Sequence, residues 1–109
     1  MNLLQETIEI LENHDKSKYD VKWVGNDKFY TDWENFELIS DVEYDDGYGC
    51  QEVAADLIIV GETWWIERHE YDGSEWWEFK QFPKMPEIKR TINKVVGGCW
   101  SSIEEIENR

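Results

Sequence analysis

The chain has 109 residues, enough for one domain with one modest core. Aromatic side chains make up 15% of it, seven of them Trp, which argues against intrinsic disorder in spite of the charge. A net charge of −14 disfavours direct contact with nucleic acid or an anionic membrane, and no run of 18 apolar residues exists to cross one.

Asn2 followed by Gln5 reads as a helix N-cap with its capping-box partner. Leu4, Ile8 and Leu11, joined by Leu3 and Thr7, share one helical face, which predicts a first helix over 3–13. Val21 and Trp23 before Gly25-Asn26 suggest a short strand and a turn, continued briefly by Phe29 and Tyr30. Thr31 and Glu34 form a second capping-box pattern. Trp33, Phe36, Ile39 and Leu38 then supply an apolar stripe, predicting a second helix over 32–42.

The glycines of DDGYG, residues 45–49, mark a loop. ADLIIV, residues 55–60, is a β-branched run, and Gly61-Glu62 fits a two-residue turn with Gly first. Asp72-Gly73 is the strongest hairpin signal in the chain. Strands over 55–60, 63–71 and 75–82 therefore form an antiparallel meander. Pro83 and Pro86 end it. EIKRTINKVV reads as a strand or as an extended basic arm. WSSIEEIENR offers a helical turn or two, capped by Ser101 or Ser102. The expected fold is one α+β domain over 1–82, with two helices on one face of a three- to four-stranded sheet. Residues 83–109 form an extension packed on the same domain.

The two tryptophan pairs, Trp64-Trp65 and Trp76-Trp77, define the hairpin's faces, because successive strand residues point to opposite sides. Two- and four-residue turns give the same assignment. One face holds Trp64, Ile66, Trp77 and Phe79, with Arg68 and Glu70 towards the turn, and reads as core. The other holds Trp65, Glu67, His69, Tyr71, Trp76, Glu78, Lys80 and Phe82. It is either an exposed aromatic contact surface or a face covered by the C-terminal segment through Trp100 and Ile103.

Charge is uneven along the chain. Residues 1–79 carry 21 acids and five bases, a balance of −16, whereas residues 80–109 carry four acids and six bases, a balance of +2. Such a field attracts basic partners and speeds their encounter. The plainer reading is an acidic protein that stays soluble. Carboxylates on a rigid scaffold can also imitate DNA phosphates and occupy a protein's basic channel. The candidate contributors are Asp41, Glu43, Asp45, Asp46, Glu67, Asp72, Glu75 and Glu78. The aromatic contacts expected beside them are Trp65, Tyr71 and Trp76.

Other chemistry is thinly supported. Asp41, Glu43, Asp45 and Glu52 fit positions 1, 3, 5 and 12 of a calcium loop, but Asp46 stands where glycine belongs and a strand follows instead of a helix. No metal is expected. The glycine pairs lack the context of a phosphate loop, no hydrolase motif is present, and no cofactor is expected. His69 among carboxylates could serve as an acid or base, the basis for reading the chain as a small enzyme. Cys50 and Cys99 form no C-x-x-C and are expected to be reduced and structural. The acidic N-terminus lacks a secretory signal, which points to the cytoplasm.

The run GYGCQEVAADLIIVGETWWIERHEYDGSEWWEF, residues 47–79, resembles small acidic proteins carried by phages and prophages of Gram-positive bacteria. The likeness reaches back through the first helix and WVGN, over most of residues 1–82, and implies no catalytic residues. Small acidic proteins in that setting often inhibit host nucleases, and in size and charge the chain resembles anti-CRISPR proteins. The leading expectation is thus a non-enzymatic inhibitor of a basic host nucleic-acid-binding protein, a CRISPR effector nuclease being one form. The alternative is an interaction module that forms a homodimer, or docks a phage component, through the aromatic hairpin face.

Overall fold

In this computed structural model the described residues are 1–47 and 49–109. Helix α1 spans Leu3–Asn13, and the Asn2 side chain accepts from the Gln5 amide at 3.0 Å, as its sequence predicts. Its buried line is Leu3, Thr7 and Leu11, whereas Ile8 turns outwards. Ser17 caps a single 3₁₀ turn over Lys18–Asp20. Strand β1, Trp23–Gly25, then turns into β2, Tyr30–Thr31. Asn26 makes that turn: its side chain accepts from the amides of Lys28 and Phe29, both at 3.0 Å.

Helix α2 spans Trp33–Ser40, shorter than predicted. Its cap is Asp32, which accepts from the Asn35 amide at 2.9 Å, and not Thr31 with Glu34. Thr31 is held in β2 opposite Val24, so capping passes to the next residue. Trp33, Phe36 and Ser40 face inwards, while Leu38 and Ile39 are exposed. After Asp41 the chain runs back along the start of α1, where the Leu3 amide donates to Val42 O at 3.1 Å.

Three further strands follow: β3 (Ile58–Val60), β4 (Trp64–Tyr71) and β5 (Ser74–Gln81). With the first two they form a five-stranded antiparallel sheet in the order β2-β1-β3-β4-β5. The α+β class is as expected, but the sheet has five strands and the described chain three helices. The added strands join because β1 pairs with β3, Trp23 opposite Val60. The short strands around Gly25-Asn26 were expected; their pairing with β3, so distant in sequence, leaves no local signal.

The turn between β3 and β4 also differs from expectation. Glu62-Thr63 make it, and the Gly61 amide donates to Trp64 O at 2.8 Å. Gly61 is required beside the turn instead of in it, because a Cβ there would run into the Trp64 indole. The Asp72-Gly73 turn forms as predicted. Tyr71 pairs with Ser74, and both turn residues take positive φ, 52° and 84°, the geometry whose twist matches a hairpin.

The core lies between the helices and one face of the sheet. Leu3, Leu11, Trp33 and Phe36 meet Val24, Ile59, Trp64, Ile66 and Trp77 there. Helix α3, Ile103–Glu107, is capped by Ser102. Among the described residues, the side-chain hydrogen bonds of the C-terminal segment run within 90–109: Arg90 to Glu107 at 2.7 Å, and Arg109 to Gly97 O at 2.7 Å. Residues 81–100 are exposed throughout, where packing on the domain was expected. Pro83 and Pro86 favour an extended exit. The radius of gyration is accordingly 18.3 Å, against about 13 Å for a compact domain of this size.

Candidate functional site

The hairpin places two clusters of a basic side chain between carboxylates on successive residues. Arg68 points into the core, with its side chain fully buried. It donates to Glu75 Oε1 at 2.8 Å, to the Tyr44 hydroxyl at 3.1 Å and to Glu6 Oε2 at 3.3 Å. It also lies over the rings of Trp77 and Tyr44, at 4.9 and 5.7 Å. Burial works against its charge, but the bonds to Glu75 and Tyr44 outweigh that and hold its pKa above the usual value. Tyr44 donates in turn to Glu6. Burial, then that bond, push its hydroxyl pKa up.

Glu75 is thereby corrected from a surface contact to a buried strut. It faces Glu70 across the strand pair, on the core side. Its carboxylate accepts from the Glu52 amide at 2.7 Å and the Val53 amide at 3.2 Å as well as from Arg68. One carboxylate thus ties the loop after α2 to the hairpin.

His69 points the other way. Nε2 lies 2.7 Å from Glu67 Oε2 and Nδ1 lies 2.9 Å from Glu78 Oε2. The Trp65 indole donates to Glu67 Oε1 at 2.7 Å. That bond is the main cause of a lowered Glu67 pKa, aided by His69 and opposed by burial. Lys80 stands 3.7 Å from Glu78. These acids are therefore engaged, and His69 is braced between them. Among the described residues no group of three His, Cys, Asp or Glu is placed to hold a metal ion.

Cross-strand partners share a face, so this side extends across the sheet. Trp23, Val60 and Trp65 line one row; Gly25, Ile58 and Glu67 line the next, which ends at Tyr30. Trp23, Trp65 and Trp76 are half-buried, and Tyr30, Tyr71 and Phe82 are exposed. Phe82 packs its edge on Trp65, with ring centroids 5.4 Å apart. Helices α1 and α2 occupy the opposite face. Trp100, a cover for this face in one of the two readings, is wholly exposed.

The remaining predicted acids fall at two places, a rim at the hairpin tip and the start of α1. From Asp41 to Glu67 the chain carries eight carboxylates and no Lys or Arg. The Glu75 amide donates to Asp46 O at 3.1 Å, and Gly73 lies against Gly49, so the acidic loop meets the hairpin tip. Asp45, Glu70 and Asp72 are exposed there, with Asp46 partly so. Asp41 accepts from Asn2 at 2.9 Å, and Glu43 pairs with the N-terminal amine at 3.1 Å. Glu52 accepts from the Asp45 amide at 2.9 Å and Asp45 from the Gly47 amide at 3.0 Å, so the calcium-like spacing is used to brace the loop itself.

The predicted set is therefore divided. Asp45, Asp46 and Asp72 lie on the rim where the acidic loop meets the hairpin tip, while Asp41 and Glu43 are held at the start of α1; Trp65, Glu67, Tyr71, Trp76 and Glu78 lie on the open sheet face; Glu75 is inside. Sequence reasoning missed Trp23, Tyr30, Ile58 and Val60 as members of that face. The alternation around buried Ile59 points to Ile58 and Val60, but Trp23 and Tyr30 join only through the β1–β3 pairing. Both cysteines are free and exposed, and so take no part in the core. Comparison with protein-family models, curated proteins and solved structures finds no match for the chain.

Proposed function

We propose that this is a non-enzymatic binding protein whose acidic rim occupies the nucleic-acid-binding surface of a basic host protein and inhibits it. The supporting observation is the joining of the base-free loop to the hairpin tip, through Asp46 O, the Glu75 amide and the buried Glu75 carboxylate. A braced edge of like charge presents carboxylates without first having to order them, which favours association. The resemblance to phage-carried proteins suggests a bacterial host partner, and a CRISPR effector nuclease is one protein with such a basic channel.

The reading is tested by affinity capture from bacterial host lysate, at low and high salt, with and without competitor DNA. A nucleic-acid-binding protein that both salt and DNA release is expected. Replacing Asp45, Asp46 and Asp72 together by Asn should abolish its capture. Capture indifferent to salt, DNA and the triple substitution would overturn the reading.

A further inference from the structure

We propose that the C-terminal arm, residues 82–100, docks on the open sheet face of a second copy of this chain, and that two copies exchange arms reciprocally. Two separate surfaces lead to this pairing. The sheet has helices on one face, and its other face presents Trp23, Trp65 and Trp76 half-bare. The arm is exposed from end to end, with Met85, Ile88, Val96 and Trp100 among its uncovered apolar side chains. An open sheet face lacks a layer, and the arm is a layer without a support.

The two surfaces also differ in charge. The arm holds Lys84, Lys89, Arg90 and Lys94 against one acid, Glu87, with Arg90 paired to Glu107, while the face carries Glu67 and Glu78 beside His69 and Lys80. Ile88, Ile92, Val95 and Val96 are exposed apolar side chains on an arm without helix or strand. They match the apolar row of Trp23, Val60 and Trp65 on the sheet. Trp100 has φ of 63° and a wholly exposed indole, an uncomfortable state for a bulky residue and the profile of an anchor that still lacks its pocket.

A second copy is favoured over closure within one chain by the way the arm leaves. Phe82 is still part of the face, against Trp65. Pro83 and Pro86 then hold the exit extended, away from the strand's own sheet. The molecule reaches 53 Å along its longest axis, against 32 and 27 Å along the others. A reciprocal exchange satisfies both surfaces with one two-fold axis.

The test is light scattering and sedimentation equilibrium on the full chain, from low micromolar to several hundred micromolar, in moderate and in high salt. A dimer that persists in high salt is expected. Ile92→Asp on the arm and Trp76→Ser on the face should each weaken it by about tenfold or more. Mixing those two variants should partly restore association, because one intact arm then meets one intact face. The Asn substitutions at Asp45, Asp46 and Asp72 should leave the dimer unchanged, which separates this inference from the rim reading. A monomer at every concentration, including one compacted by its own arm, would overturn the proposal. So would a dimer indifferent to both single variants, or mixing that restores nothing.

Discussion

Arg68 and His69 are neighbours on one strand, and each sits between two carboxylates. Arg68 is closed off from water among Glu75, Glu6 and Tyr44; His69 is a third exposed between Glu67 and Glu78. The same arrangement therefore exists on both sides of one sheet with different consequences. In the core every charge needs its partner, since nothing else can solvate it. On the open face water can replace any partner, and the pairing is worth little.

The largest expected effect follows from breaking the buried cluster. Arg68→Met leaves Glu75 and Glu6 without their cation, and should cost about 3–5 kcal/mol, read as a lower urea midpoint. Loss of cooperative unfolding would be the extreme form. Arg68→Lys keeps the charge but not the fork that reaches three acceptors, so it should recover only part of that loss. A variant as stable as the parent would mean that Glu75 is held by the Glu52 and Val53 amides alone.

On the outer face, His69→Ala should cost at most about 1 kcal/mol, because its contacts are screened by solvent. Added salt should shrink that loss further while leaving the Arg68 effect nearly unchanged, since buried pairs are screened less. Equal salt sensitivity at the two positions would remove the distinction between the faces.

The smallest effect is a pH dependence. The folded Glu67 carboxyl is lowered, so its contribution is fully present above the unfolded carboxyl value, about 4.3. It is lost as pH falls through the lower folded value. The stability difference between the parent and Glu67→Gln should therefore be constant near neutrality and shrink in acid. Arg68 is raised instead, so it stays charged at every pH below the ordinary arginine range and adds no proton exchange of its own in acid. Urea midpoints of the parent and Glu67→Gln at a series of pH values check the Glu67 slope.

Much of the hairpin was legible in the chain. The Asp72-Gly73 turn and the paired tryptophans settle which residues face inwards, because strand alternation is a local property. Asn2 announces its helix for the same reason, whereas the choice of Ser102 over Ser101 as the last cap came from the structure. Glu75 was not legible as a strut: its inward direction follows from the alternation, but its partners at Glu52 and Val53 belong to a loop without regular structure. The rim was half legible, as a base-free acidic stretch whose neighbour could not be named.

The sequence alone determined the α+β class, the first helix, the hairpin with its two faces and the uneven charge, all of which rest on periodicity, turn chemistry and composition. Tertiary structure alone decided that β1 and β2 extend the sheet, that Glu75 is buried, that the acidic loop meets the hairpin tip and that the arm leaves one sheet face bare. Those outcomes depend on contacts between residues far apart in the chain, where the cost of closing a loop is repaid only by packing that no local pattern records.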